Sequence, residues 1–319
     1  HGDTGEVHLY YAGHADLAAE SGVPVGTAIG LATSADARSF VRPVDGPVLS
    51  PGEPGDWDSE AVAFPSVFYD NGRYQMWYQG WDGSEWATGR ALSVDGRTWT
   101  KDPSNPVFAG VFDSDGEPTR AFAFKASPGG YYRIDGTVSG DAIDYALEGD
   151  IYETTGTPIL FRVVGGQALG RGPEDAHDVD GVFAPSAVSD SYVLYVGQRG
   201  TSQRAAVAVD NGAALTSIAA IEFEGFGGGL DGLNGPEPTA NVPDLSAISL
   251  SGGELLVALQ SEFGIAFAQG TPVVETDTVR GFVGLPATSL FTVGEPTSFD
   301  GVSVGSPSLL RAADDSLLL

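Results

Sequence analysis

The sequence predicts an all-β protein built from one repeated four-stranded sheet. The clearest copy lies within residues 56–100, where three strand-like segments are separated by turns and a fourth begins at Thr98. Inner-strand candidates recur near residues 60, 118, 181, 241 and 303, a period of about 60. Radial repetition of such sheets is the β-propeller, and five periods fit 319 residues. We therefore predict one five-bladed β-propeller domain of four-stranded antiparallel blades over residues 1–319.

The strands of the clearest copy follow from local sequence. Ala61 to Tyr69 is an apolar run, and the residues Asp70-Asn71-Gly72 after it tolerate the positive φ angles of a tight hairpin. Tyr74 to Tyr78 is an aromatic-rich second strand, and Trp86 to Ser93 is a third. A single sheet of this size cannot bury both of its faces, so we expect neighbouring copies to cover them.

Copies of these segments occur on both sides of the clearest one. DVDGVFAPSAVSDSYVLYVG, at residues 178–197, repeats the first strand pair, and FDGVSVGSPSLLRAADDSLLL, at residues 299–319, repeats it again. SADARSF at residues 34–40 matches SVDGRTW at residues 93–99. Weaker copies at residues 117–136 and 242–260 fill the remaining intervals, so five repeats are expected.

The ends of the sequence do not fall between repeats. Residues 7–13 match a second strand, with no first strand before them. In the simplest closure, Val302 to Leu310 supplies the inner strand of the blade formed by residues 7–50. The alternative is an inner strand that precedes His1 in a longer chain.

The charge of the chain restricts its partners. With 15 basic and 43 acidic residues, the formal net charge is −28, which repels nucleic acid and anionic membrane surfaces. No apolar run approaches the 18 or so residues of a membrane span, so no membrane insertion is expected. There is no cysteine, which excludes disulfides and thiolate sites. We expect a monomeric extracellular or periplasmic protein whose export signal is not present in this chain.

A family resemblance rests on two adjoining segments. WDSEAVAFPSVFYDNGRYQMWYQG, followed by GRALSVDGRTWTKDPSNPVF, resembles the blade repeat of the five-bladed glycoside hydrolase propellers. That superfamily contains families 43, 32, 62, 68, 117 and 130. The resemblance implies a funnel at the propeller axis where carboxylates of successive inner strands meet a sugar. In family 43 an Asp is the general base, a Glu is the general acid, and a second Asp tunes the pKa of the acid.

Two sets of acidic residues are candidates for this chemistry. Aspartates stand seven residues before the proline of each strong copy, and this regular recurrence favours an architectural role: Asp58, Asp178 and Asp300. Asp58 and Asp300 are nevertheless retained as catalytic candidates, because Asp300 is the acid available in the repeat that closes the first blade. The preferred set lies five residues before the proline, or before Phe122 in the third repeat: Glu60, Glu117 and Asp180. An acid/base pair needs one protonated and one ionised carboxyl group.

Other residues are candidates for binding. Trp57, Trp81 and Trp86 lie at or after strand ends, where an indole can stack on a sugar ring or pack in the core, and His177 is a possible sugar contact. No cofactor is expected. Calcium is the alternative, because residues 113–117 and the aspartates at 175, 178 and 180 resemble oxygen-rich calcium loops without matching a full metal-loop pattern.

Two functions follow. The first is a family 43-like glycoside hydrolase, which acts on arabinose-, xylose- or fructose-containing glycans by carboxylate acid/base catalysis. The second is a non-catalytic propeller that binds glycan or protein, because propeller loops vary widely in function. Convergence of three carboxylates at the axis would distinguish the first from the second.

Overall fold

The computed structural model describes residues 5–15, 26–70, 72–106, 108–109, 122–127, 130–135, 142–147, 162–188, 192–210, 215–227, 229–235, 238, 240–250, 252–275 and 278–312. Within these ranges the chain is all-β, as predicted, with two short 3₁₀ helices at Asp231–Leu233 and Ala287–Ser289. None of the described helices has the length and apolar character needed to cross a membrane.

The strands in chain order are β1 (Val7–His14), β2 (Ala28–Ser34), β3 (Ala61–Asp70), β4 (Arg73–Trp81), β5 (Trp86–Ser93), β6 (Thr100–Lys101), β7 (Phe108–Ala109), β8 (Phe122–Ser127), β9 (Gly130–Asp135), β10 (Ala142–Leu147), β11 (Arg162–Gly170), β12 (Gly181–Ala187), β13 (Tyr192–Arg199), β14 (Ser202–Asp210), β15 (Leu215–Glu224), β16 (Leu245–Ser249), β17 (Leu255–Ser261), β18 (Gly264–Val274), β19 (Val279–Gly284) and β20 (Ser303–Arg311).

These strands form five sequence repeats but four hydrogen-bonded sheets. The first repeat has the order β2-β1-β20, the second β3-β4-β5-β6 with β7 beside β5, and the third β11-β10-β9-β8. The fourth repeat (β12–β15) and the fifth (β16–β19) share one eight-stranded sheet, because their outer strands β15 and β19 pair in parallel. The C-terminal strand β20 pairs antiparallel with β1, so the two ends of the chain meet in the first repeat.

The inner strands of the five repeats contact one another in a cycle. β20 contacts β3, β3 contacts β8, β8 contacts β12, β12 contacts β16, and β16 contacts β20. Among the described residues no ladder pairing links these inner strands.

Serine hydroxyls link successive inner strands. Ser308 accepts the backbone N–H of Val67 at 3.0 Å, and Ser246 accepts that of Leu309 at 2.9 Å. Ser186 accepts the N–H of Ala247, also at 2.9 Å. Each bond therefore satisfies a buried backbone N–H that points toward the next inner strand and not toward the second strand of its own sheet. Because the same atoms are used each time, these serines place the inner strands in a common register.

Three inner strands bulge at the residue before their proline. Phe64, Ala184 and Ser306 have φ angles of 52°, 43° and 48°, and the pairing with the second strand shifts at each. Left-handed conformations are unfavourable for these residue types and persist where the surrounding structure imposes them. The bulge turns this position of each strand toward the centre of the cycle.

The core lies between neighbouring repeats. One cluster joins the fourth and fifth repeats around Val207, Phe223 and Phe282, and another joins the fifth and first around Leu9 and Phe267. A third cluster joins the first and second repeats, with Tyr10 and Met76 at its centre. Neighbouring repeats therefore bury one another's apolar faces, as expected from the sequence.

Substitution of Ser246 tests the serine linkage. S246A leaves the buried N–H of Leu309 without a partner, so we expect the free energy of unfolding to fall by about 1–3 kcal/mol. The control is S249A on the same strand, because Ser249 is exposed and water can replace its bond to Val188; we expect a change within about 0.5 kcal/mol. Urea unfolding measures both. Equal effects would contradict a special role for the inner-strand serine.

Candidate functional site

An axial cavity of about 200 Å³ lies at the centre of the cycle of inner strands. β3, β12, β16 and β20 contribute its described lining, which is mostly apolar and includes the linking serines. The bulged residues Phe64 and Ala184 face it. A concave site that is mostly apolar, with a few polar groups, is the usual form of a small-molecule site.

Asp244 is the one charged side chain among the described residues that line this cavity. It lies two residues before Ser246, the same place that Phe64, Ala184 and Ser306 hold relative to the serines of their own strands. Its Oδ1 accepts the N–H of Leu245 at 2.8 Å, which holds the carboxylate at the start of β16. Asp244 is not recognisable from the spacing to proline, because Leu245 stands where the strong repeats have that proline; alignment on the serine identifies it.

An aromatic cluster adjoins the cavity in the second repeat. The rings of Phe64 and Trp86 meet edge to face at 5.9 Å between centroids, and those of Trp81 and Trp86 lie 5.3 Å apart. Trp86 is buried, whereas Trp81 is only partly buried. Of these two sugar-stacking candidates, Trp81 therefore keeps a ring surface that a ligand can reach, and Trp86 packs against it.

The preferred catalytic set is not gathered at the axis within the described residues. Asp180 is exposed, and its Oδ2 accepts the N–H of Gly200 in the β13–β14 turn at 2.6 Å. Glu60 lies beside Gly83, in the corresponding β4–β5 turn. Both acids therefore point toward a hairpin of their own repeat, and neither lines the axial cavity. Glu117 lies outside the described residues.

The other acidic set is buried. Asp58, Asp178 and Asp300 are each at most 1% exposed, and each accepts a tyrosine hydroxyl from the adjacent second strand. The bonds are 3.1 Å to Tyr78, 2.6 Å to Tyr195 and 2.8 Å to Tyr11, respectively. A carboxylate enclosed in this way does not reach a substrate, so the geometry favours the architectural role for Asp58 and Asp300 as well as for Asp178.

Each buried aspartate ends a loop with the same packing. The residue before it, Trp57, His177 or Phe299, lies over a glycine of the second strand, where an added Cβ would approach within about 2.4 to 3.1 Å of that ring. Trp57 also lies 5.6 Å from the ring of Tyr78. Trp57 is therefore a packing residue of the loop. His177 occupies the same place, and its Nε2 lies 2.9 Å from the Tyr195 hydroxyl.

Two of the buried aspartates have a basic partner. Lys101 Nζ lies 2.7 Å from Asp58, and Arg42 Nε lies 2.7 Å from Asp300. Burial alone would raise the pKa of Asp300, but bonds from Ser298, Tyr11 and Arg42 outweigh it and lower that pKa.

The third aspartate differs from the other two. Within the described residues, the nearest basic group to Asp178 is His177, at 3.7 Å. In the same part of the chain, Asp178 Oδ1 finds no hydrogen-bond partner. The fourth repeat therefore keeps the aspartate and its tyrosine bond but lacks a compensating cation among the described residues.

Metal binding has little support in the described part of the chain. There, no group of three or more histidine, aspartate or glutamate side chains is placed to hold a metal ion. Asp175, Asp178 and Asp180 lie in one loop but do not converge, because Asp178 is buried and Asp180 caps a turn. The other calcium-like segment, residues 113–117, lies outside the described residues.

Solved structures share this fold. A glycosyl hydrolase from Bacteroides ovatus superimposes with a TM-score of 0.55 at 16% identity, covering 86% of this chain and 83% of that one. The structure of BT0996 in a complex with RGII gives 0.56 at 17% identity over 86% of both proteins. A proposed glycosidase from Bacteroides thetaiotaomicron gives 0.52 at 18% identity over 80% of both. No protein-family model and no curated protein sequence matches the chain.

The chain therefore has the fold of solved glycoside hydrolases, and the resemblance inferred from sequence is confirmed at the level of fold. These identities are too low to transfer an activity.

Removal of the tyrosine hydroxyls tests the buried aspartates. Y195F leaves Asp178 without its closest donor, whereas Asp58 keeps Lys101 in Y78F. We expect Y195F to lower the free energy of unfolding by about 1–3 kcal/mol and Y78F to lower it by less. Denaturant unfolding of the two variants provides the comparison. A larger loss in Y78F would show that Lys101 does not compensate.

Proposed function

We propose that this protein is a five-bladed β-propeller that acts on glycans, with the sugar bound at the axial cavity. The observation that carries the proposal is the cycle of five inner strands around a cavity whose described lining includes one aspartate, in a fold shared with solved glycoside hydrolases. The eight-stranded sheet is then two blades joined at their outer edges. A sugar-processing protein of this kind would act outside the cytoplasm, in an extracellular or periplasmic space.

In this proposal Asp244 and the aromatic rim have separate roles. Asp244, as an ionised carboxylate at the cavity, accepts a proton from water or a sugar hydroxyl, as a general base does. Trp81 provides a ring on which a sugar face can stack. Hydrolysis also needs a protonated carboxyl group on the other side of the scissile bond. Glu117 remains the predicted acid, and arabinose-, xylose- or fructose-containing glycans remain the predicted substrates.

The second candidate is a non-catalytic glycan-binding propeller. The observation that favours it is the lining of the cavity: where the fifth repeat has Asp244, the equivalent lining residues of β3 and β12 are Phe64 and Ala184. These side chains can shape a binding site but cannot transfer protons. Such a protein would bind the same sugars through Trp81 and the serine-lined cavity without turnover.

Hydrolysis of aryl glycosides tests both candidates. The panel is arabinofuranoside, xyloside, fructoside and galactoside, each with and without calcium. General acid/base groups contribute about 10²–10⁴-fold, so we expect D244N and E117Q each to lower kcat at least 100-fold while glycan binding is kept. D180N is the control, because Asp180 caps a surface turn.

The outcomes are distinct. Loss of activity in D180N but not in D244N would restore Asp180 to the catalytic set and remove Asp244 from it. Glycan binding by the wild type with no turnover on any substrate would establish the binding protein. If the wild type shows no glycan binding and no turnover, the proposal that the axial cavity is a glycan site is contradicted.

A further inference from the structure

A second cavity lies at the edge of the fourth repeat. It has a volume of about 1040 Å³ and shares no lining residue with the axial cavity among the described residues. The loop at residues 172–178 and strands β14 and β15 provide most of its lining, and Glu275, Thr278 and Arg280 complete it. It is open to solvent, because Arg280 and Glu275 are about half exposed.

Two lining residues depart from the repeat. Arg204 pairs with Gly197 on the second strand, and the residues at this position in the second and first repeats are Ala87, paired with Gly80, and Ala28, paired with Gly13. Both alanines are buried. The repeat therefore needs only a small apolar residue where the fourth copy has an arginine.

The second departure is His177. Its counterparts before the buried aspartate are Trp57 and Phe299, which fill the space above the tyrosine ring. An imidazole is smaller than either ring and carries two polar nitrogen atoms. Together, the histidine and the arginine convert a packed apolar region into a polar cavity at this one repeat.

Arg204 has no partner within the described part of the chain. Its guanidinium group makes no ion pair or hydrogen bond there, and its Nε is buried. The chain has 43 acidic and 15 basic residues, so an arginine that pairs with no acid is unexpected. Because Nε is closed off from solvent, a ligand in the cavity would contact the terminal nitrogens of the guanidinium group.

The other two arginines of the lining each lie beside a carboxylate. Arg280 binds Glu222 at 2.8 Å and lies 3.7 Å from Glu275. Arg199 lies 4.0 Å from Asp175. These pairs leave Arg204 as the one arginine of the lining whose charge is not matched by a carboxylate of the described chain.

The unpaired oxygen of Asp178 has a separate, local explanation. In the first repeat the equivalent oxygen, Asp300 Oδ1, accepts the hydroxyl of Ser298 at 2.7 Å. The fourth repeat has Ala176 at that place in the loop. Asp178 Oδ1 lies against Gly172 and is closed off, so it lacks a donor because of a change in its own loop and not because a ligand is missing.

His177 is held beside Arg204 by a hydrogen-bonded network. Tyr195 donates its proton to Asp178, so it accepts from His177 Nε2 and from the hydroxyl of Ser217, which lies 2.8 Å away. Burial lowers the pKa of His177, Asp178 raises it, and the charge of Arg204 lowers it again. The arginine and the histidine both line this cavity, and the charge of the one acts on the other.

We propose that this cavity is a binding site for an oxyanion group, a carboxylate or sulfate on a small ligand, with Arg204 as its principal contact. The planar guanidinium group presents parallel N–H donors that match a carboxylate or sulfate. Ser202 lines the same cavity and can contribute a hydroxyl donor. The site stands independently of the axial cavity and of the reaction proposed there.

NMR titration at low ionic strength tests the site with four probes: galacturonate, galactose, galactose 6-sulfate and inorganic sulfate. Galacturonate and galactose differ in charge at one carbon, so their comparison isolates the oxyanion. We expect at least one anionic probe to bind and galactose to bind at least tenfold more weakly. R204A is expected to weaken anion binding at least tenfold and to fold normally, because alanine occupies this place in two other repeats.

The control is R97A, because Arg97 is an exposed arginine of the second repeat outside this lining. It should leave anion binding unchanged. Preference for galacturonate would identify a carboxylate ligand, and preference for the sulfated sugar or for sulfate would identify a sulfate ligand. The proposal is overturned if none of the anions binds, if galactose binds as well as galacturonate, or if R204A binds like the wild type.

Discussion

The buried aspartate that ends the loop before an inner strand is the constraint on which three of the five repeats depend. A carboxylate at 0 or 1% exposure is costly unless donors surround it. Here a tyrosine of the second strand supplies one donor, and a loop amide closes onto the backbone of the same aspartate, as Gly52 does on Asp58. The bond from the tyrosine ties the loop to the sheet. The loop in turn places the start of the inner strand.

This anchoring also determines where the repeats can vary. The glycine under the loop and the tyrosine beside it leave room for one flat side chain, so Trp57 and Phe299 fill it in two repeats. In the fourth repeat His177 takes that place, and Ala206 stands where the other two repeats have Gly89 and Gly30. The imidazole of His177 is smaller than an indole or phenyl ring, so it leaves room for the Cβ of Ala206. The three repeats therefore share the aspartate and the tyrosine that hold the loop. The residues packed around that pair differ from repeat to repeat, so they can form a binding site without disturbing the fold.

The inner strands likewise combine a shared linking residue with a variable neighbour. The serine that bonds to the next strand is kept in β12, β16 and β20, whereas the residue two positions earlier is alanine, aspartate or serine. Because the serine hydroxyl already bonds the buried amide of the next strand, the side chain two residues before the serine is not needed for that link. It can therefore be acidic in one repeat and uncharged in the others, which is how an asymmetric site arises in a repeated fold.

Much of this could be read from the sequence, and the failures have identifiable causes. The strands around Ala61–Asp70 and Gly181–Ala187 were predictable, because their apolar runs and turn residues are local signals. The shared sheet of the fourth and fifth repeats was not, because the parallel pairing of β15 with β19 brings together segments about 60 residues apart. Glu60 and Asp180 were expected at the axis from their spacing alone, but side-chain direction at the start of a strand depends on the neighbouring hairpin.

The sequence by itself determined the all-β class, the repeat of about 60 residues and the regular aspartates, because hydrophobic period, turn chemistry and recurrence are local properties. Only the tertiary structure decided which carboxylate faces a cavity and which is enclosed. Asp58 and Asp244 are both acids near the start of an inner strand, yet one is sealed by Tyr78 and Lys101 and the other lines the axis. That difference depends on contacts with groups far along the chain and on the bulge and register of each strand, which spacing does not encode.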